Sequence, residues 1–270
     1  MTDAYTIRPA VRTDEPYLKL IWKNCFGDND TQTDLFFGNF FLKDNNTAVV
    51  AERDGYPIGA AYSLRCGEIA FADGRSLMCP YVYGVGVLPE ARHRGIGAEL
   101  TVAATADHSG ISAIVPSSRE LFRYYGNLSY SNSYRCRTIY VRANQTCVPE
   151  VNRIRSEHYF EEREPFLSCL THMKWMPYYY RHFEALCAES GGLFSINRGK
   201  GIAAVEITGK KLVVKELLCP TGEEIAYGAA LAFKFAMSGC SIRIFSPHGA
   251  SFGMSRPALN HPAWFGLALD

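Results

Sequence analysis

The segment that decides the fold runs from Gly84 to Leu100 and reads GVGVLPEARHRGIGAEL. A short apolar stretch leads through a turn with Pro89 and three basic residues into a helix-like stretch that starts with Gly95 and Gly97. The first N–H groups of a helix lack intrahelical acceptors and lie at the positive end of its dipole. Glycines also allow a ligand to approach the backbone closely. The turn therefore predicts an anion site, and we interpret it as a pyrophosphate site.

The composition sets limits on the kind of protein. The chain has 270 residues, of which 47% are hydrophobic and 20% charged, with a formal net charge of +1. These values predict a soluble globular protein with one large domain or two small ones. Since no long basic run exists, we expect no nucleic-acid partner. We also expect a cytoplasmic protein without a membrane partner, because no apolar stretch is long enough to span a bilayer and no signal-peptide pattern is present.

Cysteines and histidines give no sign of a metal site. The nine cysteines are scattered without a C-x-x-C pair, which predicts reduced and mostly buried thiols. The seven histidines are dispersed and form no H-E-x-x-H motif. We therefore expect no metal cofactor.

The element order around the opening segment predicts an α/β fold with a mixed sheet. The first half reads β-α-α-β-β-β-α-β-α-β, with a hairpin whose turn is Asp54-Gly55. The stretch SSRELFRYYG predicts a helix with a capping box from Ser117 to Glu120. A polar segment with Pro149 separates this half from the second, so we predict domains over residues 1–145 and 150–270.

The second half predicts a repeat of the middle of the first. After an aromatic-rich, helix-like opening, the sequence predicts strands near residues 192–199, 201–209 and 210–219, a helix over 221–239 and a strand from 240. This order suggests a degenerate structural repeat, with an unrelated α+β unit as the alternative. Gly222 is followed by Glu223 and Glu224, and acidic residues at a helix start would repel a pyrophosphate.

The full pattern V-x-V-x-P-x-x-R-x-x-G-x-G-A resembles the acetyl-CoA-binding signature of the GNAT superfamily of N-acetyltransferases, whose core is R/Q-x-x-G-x-G/A. The resemblance implies acetyl-CoA as acyl donor and a GNAT-like N-terminal domain, followed by a degenerate GNAT-like domain that shapes the acceptor side. It implies that backbone amides of the turn hold the CoA pyrophosphate and that the preceding strand pairs with the pantetheine arm. The residues so implied are Val85, Gly86, Val87, Arg92, His93, Arg94, Gly95, Ile96, Gly97 and Ala98.

A second resemblance lies in YYGNLSY, which is similar to the F-Y-x-x-L-G-F segment of GNAT enzymes. Tyr125 fills the tyrosine position, and Ser129 replaces the usual glycine. The resemblance implies that the Tyr125 hydroxyl protonates the leaving CoA thiolate, a role that suits a positioned phenol. The alternative is that Tyr125 only packs among the neighbouring aromatic side chains.

The general base is not evident from the sequence, because the strand MCPYVYGVGV carries no carboxylate. We consider Glu68, the water-relaying pair Tyr81 and Tyr83, and Asp270, which follows the apolar stretch WFGLAL. The expected reaction is direct transfer of an acetyl group to a primary amine of a small molecule or peptide. The alternatives are a non-catalytic acetyl-CoA-binding regulatory or interaction protein, and a GNAT-like protein without cofactor. The oligomeric state stays open, with a homodimer among the alternatives.

Overall fold

The computed structural model of the protein describes residues 4–108, 110–144 and 149–270. The chain forms two compact units that interleave in sequence. The first comprises the chain up to Glu68, Leu77–Ser131 and Met254–Ala258, and the second comprises Ile69–Ser76, Asn132–Gly253 and Leu259–Asp270. The sequence predicts two consecutive domains instead, and their separate functional roles stay a prediction.

The first part of the chain contains seven strands and four α-helices among the described residues. The strands are β1 (Thr6–Pro9), β2 (Thr47–Arg53), β3 (Tyr56–Leu64), β4 (Gly67–Ala70), β5 (Ser76–Met78), β6 (Tyr81–Val87) and β7 (Ser112–Ile114). The helices are α1 (Glu15–Phe26), α2 (Asp30–Phe40), α3 (Ile96–Ala103) and α4 (Arg119–Gly126).

The remaining elements follow in chain order. The strands are β8 (Ser131–Arg142), β9 (Val151–Ile154), β10 (His172–Trp175), β11 (Gly191–Ile196), β12 (Gly201–Thr208), β13 (Lys211–Leu218), β14 (Gly239–Phe245) and β15 (Ala250–Arg256). The helices are α5 (Ser156–Leu167), α6 (Pro177–Leu186) and α7 (Glu224–Lys234). The predicted mixed α/β fold is confirmed, and so are the predicted strands, helix and strand over 192–247.

The sheet of the first unit is mixed. Strands β1, β2, β3 and β6 pair antiparallel in that order, β7 pairs parallel with β6, and residues Met254–Arg256 of β15 pair antiparallel with β7. The predicted hairpin is confirmed, since Asp54 and Gly55 join β2 to β3 with φ angles of 54° and 82°. Two consecutive positive φ angles are what the tightest hairpin turns require.

Helix α3 packs on this sheet through its apolar side. Ile96 and Leu100 lie in one buried cluster with Ala51 of β2 and Ile58 of β3. Small side chains below the helix allow its start to lie close to the strands. As a result, the beginning of α3 is held beside the end of β6, where the segment Gly84–Leu100 makes its turn.

The second unit has a sheet with a similar pairing pattern. Strands β11, β12 and β13 pair antiparallel, and β13 pairs parallel with β14 across the helix α7. In the first unit β2, β3 and β6 pair antiparallel, and β6 pairs parallel with β7 across α3. Both β6 and β13 also carry a register shift against their antiparallel neighbour. The repeat of element order is therefore also a repeat of pairing.

Several local predictions need correction. The strands β4, β9, β10 and β15 were not predicted as separate elements, and β10 interrupts the aromatic-rich stretch that the sequence predicted to be helical. The single strand predicted over residues 77–87 is divided into β5 and β6. Helix α4 is capped by Ser118, whose side chain accepts a hydrogen bond from the Leu121 amide (3.3 Å), so the predicted capping box from Ser117 to Glu120 is wrong. The helix begins one residue later than the S-x-x-E spacing suggested, which places Leu121 at the reciprocating position.

Candidate functional site

Strands β6 and β7 separate after only two paired residues. Tyr81 pairs with Ala113 and Val82 with Ile114, where β7 ends, whereas β6 continues to Val87. We call the gap beside residues 83–87 of β6 the first fork. Along these residues β6 pairs with β3 on one side, and no described strand pairs with the other. A ligand arm with amide groups can therefore bind to this open edge as a peptide strand would.

A β-bulge lies in the middle of the fork edge. Ala60 of β3 pairs with Gly86 and Tyr62 pairs with Tyr83, so two residues of β6 lie opposite one residue of β3. Gly84 in this bulge has a φ of 59°, and a Cβ atom there would lie 2.8 Å from the Trp22 ring. Glycine is required because both the backbone angle and the indole exclude a side chain. The bulge turns the following amides of β6 out of the regular ladder.

The turn after β6 is braced by Arg92. Its Nε atom donates to the carbonyl oxygen of Val87 (2.9 Å), and its guanidinium lies 3.9 Å from the Cys25 Sγ. The Cys25 thiol also donates to the Val87 carbonyl (3.4 Å). Arg92 therefore holds the end of β6 against α1, in addition to adding positive charge to the turn.

The start of α3 presents backbone donors. Gly95 caps the helix with a φ of 81° and provides no side-chain cap. Within the described chain the amides of Gly95, Ile96 and Gly97 have no hydrogen-bond acceptor. The Ala98 amide differs, because it donates to the Gly95 carbonyl (2.9 Å). Three successive free amides at the positive end of a helix form an anion site.

Tyr124 lies against this site. A Cβ atom on Gly97 would lie 3.0 Å from the Tyr124 hydroxyl, so a glycine at this position leaves room for the phenol. Partial burial raises the pKa of Tyr124 above its ordinary value. The hydroxyl stays protonated at neutral pH and can donate a hydrogen bond near the free amides. No pattern in the sequence marks Tyr124 for a role, since only the approach of α4 to α3 brings its hydroxyl close to Gly97.

Tyr125 occupies the inner side of the fork. It is 6% exposed and lies in one apolar cluster with Val82 of β6 and Ile114 of β7. Burial, followed by the nearby Tyr124 and Tyr130, raises the pKa of Tyr125 well above 10. Its hydroxyl makes no hydrogen bond to any residue that the structure describes. A protonated phenol at the point where the two strands separate is suited to give a proton to a leaving group in the fork.

The turn after Tyr125 explains the glycine of the related motif. Ser129 has a φ of 66°, in the left-handed region that glycine prefers, and its amide donates to the Gly126 carbonyl (3.1 Å). The Tyr130 amide returns to the Tyr125 carbonyl (3.1 Å). The serine therefore adopts the backbone conformation that a glycine would take without strain.

The candidate general bases differ in their surroundings. Tyr81 is buried and Tyr83 is half-buried, and their rings lie 5.3 Å apart. The side chain of Asp270 lies in the second unit and binds Arg243 (2.6 Å) and Lys215 (3.4 Å). Burial alone would raise the pKa of Asp270, but the two cations outweigh it and lower that pKa. A carboxylate bound in this way is a weak proton acceptor.

No metal cluster or membrane helix is found in the parts of the chain that the structure describes. Residues 4–108, 110–144 and 149–270 contain no group of three histidine, cysteine or acidic side chains that could hold a metal ion. None of the helices in the same ranges is both long and apolar enough to cross a membrane.

Part of the chain is similar to a known protein family. Residues 6–131 match a family described as acetyltransferase (GNAT) domain. Curated proteins include no match to the chain.

Solved structures with the same fold cover both units. A GCN5-related N-acetyltransferase from Anabaena variabilis has a TM-score of 0.71 at 12% identity, over 93% of this chain and 72% of that one. A conserved protein from Enterococcus faecalis, described as a probable N-acyltransferase, has a TM-score of 0.69 at 9% identity, over 93% and 72%. A GCN5-related N-acetyltransferase from Kribbella flavida has a TM-score of 0.68 at 16% identity, over 93% and 70%.

Proposed function

We propose, from the match of residues 6–131 to an acetyltransferase (GNAT) domain and from the geometry of the first fork, that the chain transfers an acetyl group from acetyl-CoA to a primary amine of a small molecule or peptide. The observation that carries the proposal is the juxtaposition of the open edge of β6, the free amides at the start of α3 and the buried phenol of Tyr125. Each of these matches one part of an acyl-CoA molecule.

The binding step uses backbone groups. The pyrophosphate of acetyl-CoA accepts hydrogen bonds from the amides of Gly95, Ile96 and Gly97, with Arg94 adding positive charge nearby. The pantetheine amides pair with the edge of β6 along Val85–Val87. This pairing aligns the thioester with the point where β6 and β7 separate, next to Tyr125.

The transfer step is a direct attack by the amine on the thioester carbonyl. The C–N bond forms, and a backbone N–H of β6 stabilises the tetrahedral oxyanion, an effect worth about 3 kcal/mol in comparable sites. The C–S bond then breaks, and the thiolate takes the hydroxyl proton of Tyr125. Tyrosinate regains a proton from the nitrogen of the product through water, so the enzyme returns to its starting state. Approximation of amine and thioester supplies a further part of the rate.

The amine must lose a proton before it attacks. Since β6 carries no carboxylate, we assign this step to water held between Tyr81 and Tyr83, which lie on the same strand as the oxyanion donor. Glu68 of β4 is the second candidate.

The test is release of free CoA thiol from acetyl-CoA in the presence of polyamines, aminoglycosides and peptide N-termini. Tyr125→Phe should lower kcat at least about tenfold, while the Kd for acetyl-CoA stays within about twofold, because the hydroxyl acts only on the leaving thiolate. Tyr140→Phe removes an equivalent hydroxyl from an exposed tyrosine and should leave both values unchanged.

Two outcomes would redirect the assignment. Stabilisation by acetyl-CoA without thiol release for any amine would support a non-catalytic acetyl-CoA-binding protein. Unchanged turnover in Tyr125→Phe would reduce Tyr125 to a packing role, while the transferase assignment would continue to depend on the amine panel.

A further inference from the structure

The second unit contains a fork of its own. Leu212–Val214 of β13 pair in parallel with Cys240–Ile242 of β14, after which β13 continues to Leu218 and β14 to Phe245. We call the gap between the two strands beyond these pairs the second fork. It corresponds to the first fork in strand order, in parallel pairing and in the bulge of its longer strand.

Residues 263–270 contact both strands of the second fork. The indole Nε1 of Trp264 donates to Glu216 of β13 (2.8 Å), and the Trp264 ring lies 6.5 Å from that of Phe245 on β14. Asp270 binds Lys215 of β13 and Arg243 of β14. Trp264 therefore lies beside the C-terminal ends of the two strands. Asp270 lies beside the residues that directly follow their last parallel pair.

The side chains of this segment are bound as a ligand would be. Leu267 and Ala268 are fully buried, and the Leu267 carbonyl accepts a hydrogen bond from the Tyr179 hydroxyl (2.9 Å). Gly266 has a φ of 72°, and a Cβ atom there would overlap the Glu216 carboxylate and lie 2.6 Å from Arg163. Only glycine fits at that position, so the second fork selects for a segment with glycine there.

Charges in the second fork are balanced around the segment. Glu216 is fully buried and binds Arg163 through two nitrogens (2.8 and 3.0 Å), and it also accepts from Tyr159 (2.9 Å). Lys215 pairs with Glu206 (2.7 Å) as well as with Asp270. The buried carboxylate can thus accept the indole N–H of the segment, while a cation is available on each strand for its aspartate.

We propose that the second fork is a peptide-binding cleft whose ligand is the chain's own segment 263–270. The segment contacts both strands of the second fork through the Trp264 and Asp270 side chains, while the amides of Ala263 and Trp264 donate to the carbonyls of Ser133 and Thr171. The ligand is an apolar peptide. It has an indole donor near one end, a glycine two residues after the indole and a carboxylate side chain at the other end. The segment thus fills the second fork, and the specificity of this cleft does not depend on whether the first fork binds acetyl-CoA.

The test cleaves the chain before residues 263–270 and asks whether this segment stays bound to the second fork. A protease site placed between Asn260 and His261, which are both exposed, allows cleavage of the folded full chain. A fluorescent peptide with the sequence of residues 261–270 is then added, and its binding is followed by anisotropy. We expect the released segment to stay bound after cleavage and to exchange with this peptide.

Variant peptides measure the specificity. The Asp270→Asn and Gly266→Ala peptides should each bind at least about tenfold more weakly, because one loses a charge-assisted pair and the other overlaps Glu216. The His261→Ala peptide changes an exposed residue and should bind as the unmodified one does. Equal binding of all four peptides, or loss of the segment on cleavage, would overturn the proposal.

A second measurement uses the uncut chain and covers the case in which cleavage leads to aggregation. Hydrogen exchange at the amides of residues 264–269 should be slow, and Asp270→Asn should accelerate it at least about tenfold, while His261→Ala should not. Exchange at the rate of an unstructured peptide in the unmodified chain would contradict a bound segment.

Discussion

A glutamate at position 97 should weaken acetyl-CoA binding without weakening the fold. Gly97 is the second residue of α3, half-buried, and its amide is one of the three free donors. We take about 5 Å as the separation between this carboxylate and each of two phosphate charges bound at the same helix start. In an effective dielectric of about 40 to 80 for this open turn, the repulsion amounts to about 2–3 kcal/mol. The Kd for acetyl-CoA should therefore rise about 30- to 150-fold.

The effect on stability has the opposite sign. A negative side chain in the first turn of a helix stabilises it by about 0.3–1 kcal/mol, and replacement of glycine within a helix adds about 0.5 kcal/mol or more. The new Cβ would lie 3.0 Å from the Tyr124 hydroxyl, the far end of a side chain that can shift. Gly97→Glu should thus keep the thermal midpoint of the ligand-free protein or raise it slightly.

The assay is calorimetric titration of acetyl-CoA together with thermal unfolding of each variant. Gly38→Glu provides the matched control, because Gly38 is an exposed residue within α2 and a Cβ there contacts nothing within 4 Å. The control introduces the same charge and the same helix preference but should leave the Kd unchanged. A Kd for Gly97→Glu within about threefold of the unmodified protein would refute the assignment of the pyrophosphate to this turn.

Two further predictions concern stability. Ser129→Gly should stabilise the protein by about 1 kcal/mol, because Ser129 is exposed and holds a φ of 66°, and a lower thermal midpoint would contradict this. His182 is buried in α6, and burial lowers its pKa from 6.5 to about 4. The unfolded chain therefore binds more protons between these values, so stability is complete above pH 6.5 and falls by up to about 3 kcal/mol as the pH drops to 4. Acid denaturation of His182→Phe should lack this loss, and an unchanged pH dependence would exclude His182 as its source.

The sequence was sufficient to predict the turn after β6 and the order of helices and strands, because both depend on local residue patterns. Gly84, Gly95 and the pair Asp54-Gly55 each lie where the backbone has a positive φ, and such positions are marked by residue type. The spacing of apolar residues was enough to predict the strands and the helix over residues 192–247. The predicted capping box at Ser117 was wrong by one residue, which is the usual weakness of boundary signals.

The rest could not be read from the sequence because it depends on contacts between distant residues. Cys25 and Arg92 meet at the Val87 carbonyl across 62 and 5 residues of chain, and no local pattern marks the cysteine for that role. Tyr124 and Tyr125 are adjacent and chemically identical, and only the packing of α4 directs one to Gly97 and the other to Val82. The contacts of residues 263–270 with the second fork are non-local in the same sense.

Hydrogen exchange of the unmodified protein, with and without saturating acetyl-CoA, tests whether the start of α3 and the edge of β6 bind the ligand. Acetyl-CoA should slow exchange at the amides of Gly95–Gly97 and of Val85–Val87, with no change at Lys215–Gly222 of the second unit. Unchanged exchange at the start of α3, or protection that appears at the second fork instead, would contradict this prediction.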